Sequence, residues 1–107
     1  MTNKLHGLLG MARRAGKLAI GFDATITALK DGKSQTVVIA SDSSQKTEKE
    51  CRFHAQSAVL IRLPLDKAAL AATIGAHKPV AVAAVCDAGF ESAFRSYGTD
   101  MKEENSL

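Results

Sequence analysis

The sequence predicts an α/β fold, a three-layer α/β/α sandwich. Three observations carry that expectation. Apolar, strand-like runs alternate with helix-period segments along the whole chain. Two of these runs, 36–40 and 80–86, are continuous and small or β-branched, as in strands covered on both faces. The connections are short and carry Gly, Asp or Ser where a helix must start or stop.

Each element follows in order. Leu5, Leu8, Leu9, Ala12 and Ala15 stand at helical spacing over 4–15, and Gly16 supplies the C-cap. Lys17-Leu18-Ala19-Ile20 is a short strand. Gly21 opens a second helix over 22–31, which buries Ile26 and Leu29 and stops at Asp31-Gly32. The run 36–40 is the second strand and ends in Ser41-Asp42-Ser43-Ser44. Ser44 caps a third helix over 45–57, with Cys51, Ala55 and Ala58 on one stripe. Val59-Leu60-Ile61-Arg62-Leu63 is the third strand, ended by Pro64. Asp66 caps an alanine-rich helix over 67–74, which Gly75 stops. The fourth strand is 80–86, after which Asp87 caps a last helix bearing Phe90, Ala93, Phe94 and Tyr97 at i, i+3, i+4 and i+7. From Gly98 the chain is polar without an apolar period. It is therefore expected to be one domain over 1–97 with a frayed tail over 98–107.

A chain of 107 residues, 46% hydrophobic and 23% charged, is large enough to bury a core without staples. No apolar run approaches the roughly 20 residues of a bilayer span. The first apolar cluster is broken by Gly7, Gly10, Arg13 and Arg14, unlike a signal peptide. A cytoplasmic protein with reduced thiols and no membrane partner is expected. Cys86 ends an apolar strand and is expected to be a buried free thiol. Cys51 and His54 stand i, i+3, but His6, His77 and Cys86 are too scattered to complete a metal site. Neither a metal nor a cofactor is expected.

Charge is unevenly placed. Residues 1–35 hold Lys4, Arg13, Arg14, Lys17, Lys30 and Lys33 against Asp23 and Asp31, a net +4, whereas the rest of the chain is net −1. That asymmetry suits a polyanion on one side of the molecule. Its focus is Gly21, because a glycine at a helix start leaves backbone N–H groups bare for an anion. Lys17 and Lys30 flank the turn and the helix it opens. Arg13 and Arg14 either complement the C-terminal dipole of the first helix or contact phosphate. Phe22 is either a core anchor or an exposed platform for a base.

Catalytic readings find little support. Gly32-Lys33-Ser34 has Thr27 where a phosphate-binding loop needs its first glycine, with Ala28 next to it, and a strand follows instead of a helix. Ser41, Ser43 and Ser44 have neither a glycine-flanked elbow nor a histidine partner. Asp42 and Asp87 each begin a strand-to-helix connection, which is ordinary capping chemistry. The protein is not expected to be an enzyme.

The order of motifs is informative as a set. It comprises Arg14-Ala15-Gly16-Lys17-Leu18, Gly21 before a helix, Asp31-Gly32-Lys33, Ile39-Ala40-Ser41-Asp42, Thr47, Leu70 through Ile74-Gly75, and a strand ending Asp87-Ala88-Gly89-Phe90. Over residues 5–95 this resembles the ribosomal protein superfamily of the archaeal L-seven-Ae and eukaryotic L-thirty-e proteins, most of all its bacterial YlxQ-like branch. The resemblance implies a mixed four-stranded sheet and RNA binding, in many members to kink-turns, sharply bent helices with tandem sheared G·A pairs. There the RNA meets the second helix through Gly-x-Asn-Glu-x-x-Lys. The Asn and Glu read guanine edges, the Lys holds phosphate or base, and the loop after the third strand packs on extruded bases.

By position, the glycine is Gly21, while the three readers fall on Asp23, Ala24 and Thr27. Asp23 keeps an acceptor but lacks the amide donor, and Ala24 offers nothing to a guanine edge. Each good bidentate base contact is worth about 1–3 kcal/mol on the scale known for DNA. Kink-turn affinity is therefore expected to be weak, or the preference shifted to another RNA shape. The second contact loop maps to 63–67, with Leu65 and Lys67. The implied RNA face is then Gly21 with Phe22, Asp23 and Thr27, counter-charges from Arg14, Lys17 and Lys30, and Leu65 and Lys67 closing the second side. The expected partner is structured RNA, ribosomal or kinked, bound by a monomer, and not DNA. The alternative is a protein-interaction adaptor, since the superfamily includes stress-response members that bind proteins. The altered readers favour that alternative; the positive N-terminal third opposes it.

Overall fold

The computed structural model describes residues 2–55 and 58–105. Nine elements alternate along it: α1 (Thr2–Arg14), β1 (Leu18–Ile20), α2 (Phe22–Lys30), β2 (Thr36–Ile39), α3 (Gln45–Ala55), β3 (Val59–Arg62), α4 (Lys67–Ile74), β4 (Val82–Val85) and α5 (Ala88–Asn105). The four strands form one sheet in the order β1-β4-β2-β3. β4 is antiparallel to both neighbours, and β2 is parallel to β3, so the sheet is mixed.

Alternation along the strands divides the core into two layers. Val38, Ala40, Ile61, Leu63, Ala83 and Val85 pack with Leu5, Leu9 and Ala12 of α1, Leu70 and Ile74 of α4, and Phe94 of α5. On the opposite face Val37, Ile39, Val82 and Ala84 pack with Ile26, Ala28 and Leu29 of α2 and with Cys51 and Ala55 of α3. Every residue of β2 and β4 is buried, as strands covered on both faces require. The expected α/β/α sandwich is the fold.

The helix limits follow local chemistry. α4 begins where Asp66 accepts from the Ala69 N–H (2.7 Å) and ends at Gly75, whose φ of 73° is left-handed. Ser44 Oγ accepts from the Thr47 N–H at 3.1 Å, and Asp87 accepts from the Phe90 N–H at 3.1 Å. The third helix, expected over 45–57, reaches Ala55; residues 56 and 57 lie outside the described residues.

The last helix runs into the segment expected as a tail. α5 continues through Gly98 to Asn105; only residues 106 and 107 of the tail lie outside the described residues. Gly98 costs about 1 kcal/mol relative to alanine. It does not stop a helix already nucleated, and the following Met, Lys and Glu residues are good helix formers. Absence of an apolar period removes a reason for packing but does not end a helix.

Cys86 is corrected: it is half-buried. Burial still pushes its thiol up, with Glu91 adding to the effect and the Ala19 backbone, Lys33 and Lys17 opposing it. Cys51 is fully buried, and its thiol is pushed up by that burial and by Glu50 and Glu48. A raised thiol pKa means less thiolate at a given pH. At about pH 8, iodoacetamide should therefore alkylate both more slowly than it alkylates glutathione, and Cys51 more slowly than Cys86. Mass spectrometry of timed samples checks the order; equal rates would contradict the burial difference. Among the described residues, no three His, Cys, Asp or Glu side chains are grouped to hold a metal ion, and no helix is long and apolar enough to cross a membrane.

Candidate nucleic-acid interface

Strand direction decides which loops meet. β1, β2 and β3 run the same way and β4 runs against them. The C-terminal ends of three strands, and the start of the fourth, therefore share one pole of the sheet. Gly21 follows β1 there and donates its N–H to Val82 O at 3.0 Å. Ala40 follows β2 and donates to Ala81 O at 2.8 Å, and Leu63 follows β3 and donates to Ile39 O at 2.8 Å. Ser41 then bonds Leu65 O at 2.8 Å, tying the second loop to the third. With strands about 4.8 Å apart, the Gly21 turn and the 63–67 loop stand about 14 Å from each other.

Three helices begin at this pole, and two are already capped. Ser44 caps α3. At α4, Asp66 accepts from Ala69 while Asp42 Oδ1 accepts from the Lys67 N–H at 2.9 Å. The capping role expected of Asp42 is therefore real, but it serves α4 and not its own helix. At α2 no side chain caps the start. Thr25 donates its N–H to Gly21 O (3.0 Å), so the amides of residues 22–24 precede the first helical bond. Gly21 holds φ 97° and ψ 168°, a conformation almost confined to glycine. A Cβ there would meet nothing within 4 Å, so the space next to the turn is open. The buried Thr25 hydroxyl donates to Ala19 O at 3.4 Å and fastens the helix start to β1.

The outward stripe of α2 carries Asp23, Ala24 and Thr27, all exposed, while Thr25, Ile26, Ala28 and Leu29 face inward. Phe22 is 38% exposed, so it stands beside the open amides instead of anchoring the core. Lys67 is half-buried at the start of α4. These residues meet at the Gly21 pole.

Four other expected contacts do not join them. Leu65 is 7% exposed and belongs to the core beneath α1 and α4, because its backbone, not its side chain, closes the loop onto Ser41. Lys17 precedes β1, four residues of extended chain from Gly21, or about 13 Å. Its carbonyl accepts from the Cys86 N–H at the opposite end of β4. Lys30 ends α2, about 12 Å of helix beyond Phe22. Arg14 ends α1, and Lys17 N–H bonds back to Ala12 O, which puts Arg14 at the Lys17 end. Its Nη1 lies 3.4 Å from where a Cβ at Gly10 would stand, so the guanidinium folds back along α1. The cations do not ring the bare amides. They lie at the other pole.

Two cations that the sequence did not single out lie on the loops of this pole. Arg62 donates to Ser41 O (3.1 Å) and Ala40 O (3.4 Å) and pairs with Glu48 of α3, bracing the loop after β2. Glu48 also binds Arg52 at 3.0 Å. A lone arginine in the apolar strand 59–63 was the available signal. Lys78 is exposed two residues before Val80, whose N–H donates to Lys67 O at 3.1 Å. It brings a cation to the Gly21 pole that only the return of the chain after α4 reveals. Ser43 Oγ donates to Ala81 O (2.9 Å) and is thus structural.

Comparison with known proteins adds an independent line. The model of the ribosomal protein L7Ae/L30e/S12e/Gadd45 family matches residues 3–94. The RNA-binding protein YlxQ of Enterococcus faecium is 39% identical over 49 residues, 46% of this chain and 48% of that protein. The large ribosomal subunit protein eL30 of Yarrowia lipolytica is 32% identical over 56 residues, 52% of this chain and 51% of that protein. The chain spans about half the length of these curated relatives. Among solved structures, a protein of unknown function from Bacillus halodurans superposes with a TM-score of 0.77 at 29% identity, covering 85% of this chain and 92% of that one. The Giardia lamblia 15.5kD RNA binding protein superposes with a TM-score of 0.73 at 15% identity, covering 92% and 88%, a likeness of fold alone.

Proposed function

Because the chain belongs to the ribosomal protein L7Ae/L30e/S12e/Gadd45 family, we propose that it binds structured RNA at the pole where α2, α3 and α4 begin. One observation supports this most: α2 alone of the three starts without a side-chain cap, and its bare amides adjoin the exposed stripe of Asp23, Ala24 and Thr27. Phosphate would sit on the amides of residues 22–24, favoured by the helix dipole. Phe22 offers a ring to an unstacked base, and Lys67 and Lys78 supply counter-charge across the groove. The role is non-catalytic, exercised by a cytoplasmic monomer. Kink-turns are the shape in view, at reduced affinity, since Asp23, Ala24 and Thr27 replace the three readers.

A gel shift with a kink-turn and a straight duplex of equal length, at about 50 and 200 mM salt, tests this. Binding should weaken steeply with salt and favour the kink-turn. Equal affinity for the two RNAs would reject kink-turn recognition. No RNA binding would reject the reading and leave the protein-adaptor role in its place. The revised geometry adds a sharper arm. Lys67→Glu should lower kink-turn affinity about tenfold, having reversed a charge next to phosphate. Lys17→Glu should change it less than about twofold, since Lys17 sits at the opposite end of the sheet, where its carbonyl accepts from the Cys86 N–H. The opposite ranking would move the RNA face to the other pole.

A further inference from the structure

Phe53 is 79% exposed, the most exposed large apolar side chain among the described residues. It stands on α3 edge-to-face with His54, ring centroids 5.1 Å apart and planes at 86°. Both line a cleft of about 480 Å³ with Lys30 and the Gly32–Gln35 loop. A second cleft, of about 430 Å³, shares Gly32, Ser34 and Gln35 with the first and continues to Lys33 and the start of α5. The two form one furrow across the sheet end opposite Gly21.

Charge along this furrow is positive. Lys30 and Lys33 are exposed and line it, and Arg95 lines its far end. Asp31 and Glu50 are the exposed acids beside them; Glu48 is neutralised by Arg52 and Arg62, and the Glu91 carboxylate accepts from the Gln35 N–H. Lys17 lies at the same end, its carbonyl accepting from the Cys86 N–H, and Lys33 lines the cleft beside Ala88 at the start of α5. An exposed ring beside cations, on a furrow with polar walls, matches what single-stranded nucleic acid requires: a stacking platform with phosphate ligands next to it. A protein partner would be expected to cover a wider apolar patch than one ring.

We propose that this pole is a second nucleotide site, where Phe53 stacks on an unpaired base and Lys30 and Lys33 hold the adjoining phosphates. The inference rests on the RNA-binding reading above, but uses none of the residues at the Gly21 pole. The protein would thereby clasp a folded RNA at one end and a single-stranded segment at the other.

The probe is a fluorescein-labelled oligouridylate of about ten nucleotides, within the size that such grooves hold. Fluorescence anisotropy should give Phe53→Ala about a tenfold loss, Phe53→Trp no loss, and Lys30→Glu a loss with a shallower salt dependence. Lys67→Glu should leave decamer binding unchanged, and Phe53→Ala should leave kink-turn binding and the melting temperature unchanged. Equal affinity of wild type and Phe53→Ala for the decamer, or none in the wild type, would overturn the proposal and assign Phe53 to a protein contact. Loss of kink-turn binding with Phe53-dependent decamer binding intact would sink the first reading and spare this one.

Discussion

Phe94→Ala is expected to lower the free energy of unfolding by about 3–5 kcal/mol, the range for removing a buried aromatic ring. Phe94 has no exposed surface and is the largest fully buried side chain among the described residues. It lies in the layer between the sheet and helices α1, α4 and α5, among Leu5, Leu9, Val38, Val85 and Leu70. The central strand β4 brings only Val and Ala to this layer, so much of its volume comes from the helices. Deleting the ring removes its transfer free energy and leaves a cavity that rigid strands cannot collapse into. For a domain holding about 5–15 kcal/mol in total, this is a large fraction. Urea unfolding followed by circular dichroism measures the loss, with an unchanged slope as the two-state check. Phe53→Ala, on an exposed ring, should stay within about 0.5 kcal/mol. A loss below about 1.5 kcal/mol for Phe94→Ala would mean that α5 is not integral to the core.

A contrasting effect is expected from adding one methyl group at two glycines. Gly21→Ala should destabilise by about 1–3 kcal/mol, because φ 97° with ψ 168° is a conformation that side chains avoid. No steric clash contributes, since neither Gly21 nor Gly7 has an atom within 4 Å of a built Cβ. Gly7 lies inside α1, where the same methyl should stabilise by about 0.5–1 kcal/mol by restricting the unfolded chain. Opposite signs from one chemical change would locate the cause in the backbone. Relief of the strain in Gly21→Ala also moves the amides of residues 22–24, so kink-turn affinity should fall at least about tenfold. Thermal melts and gel shifts of both variants are the measurements. Stability and RNA affinity both unchanged in Gly21→Ala would remove that turn from the functional argument.

Much of the fold was legible in the sequence because its cues are local. Ser44, Asp66 and Asp87 each sit where a cap must be, and each accepts the amide that a cap requires. Gly75 stops α4 through its own backbone angle. The buried runs of β2 and β4 announced strands covered on both faces. Past Gly98 the cue is of another kind: lack of an apolar stripe removes a reason for packing, which differs from saying that no helix forms.

The site divides along the same line. Gly21, the outward stripe of Asp23, Ala24 and Thr27, and the second loop were singled out by local pattern and resemblance. Their surroundings depended on pairing direction. Once β1 runs antiparallel to β4, Lys17 is carried to the far end of that strand pair. Once α2 runs its full length, Lys30 goes with it. Sequence distance cannot distinguish residues flanking an element from residues flanking a site, because an element about 12 Å long separates its two ends. The exposure of Phe22 and the burial of Leu65 were settled similarly, by what packs against each side chain.

The alternation of strands and helices, their caps, and the uncapped glycine start of α2 arise from interactions spanning a few residues and could be read from the residues in order. Long-range pairing set which loops share a pole, that Lys17 lies at the far end of β1 from Gly21, and that Lys30 lines a cleft with Phe53. The physical reason is that hydrogen bonds between strands distant in the chain set direction and register, and charge is then distributed as that register dictates.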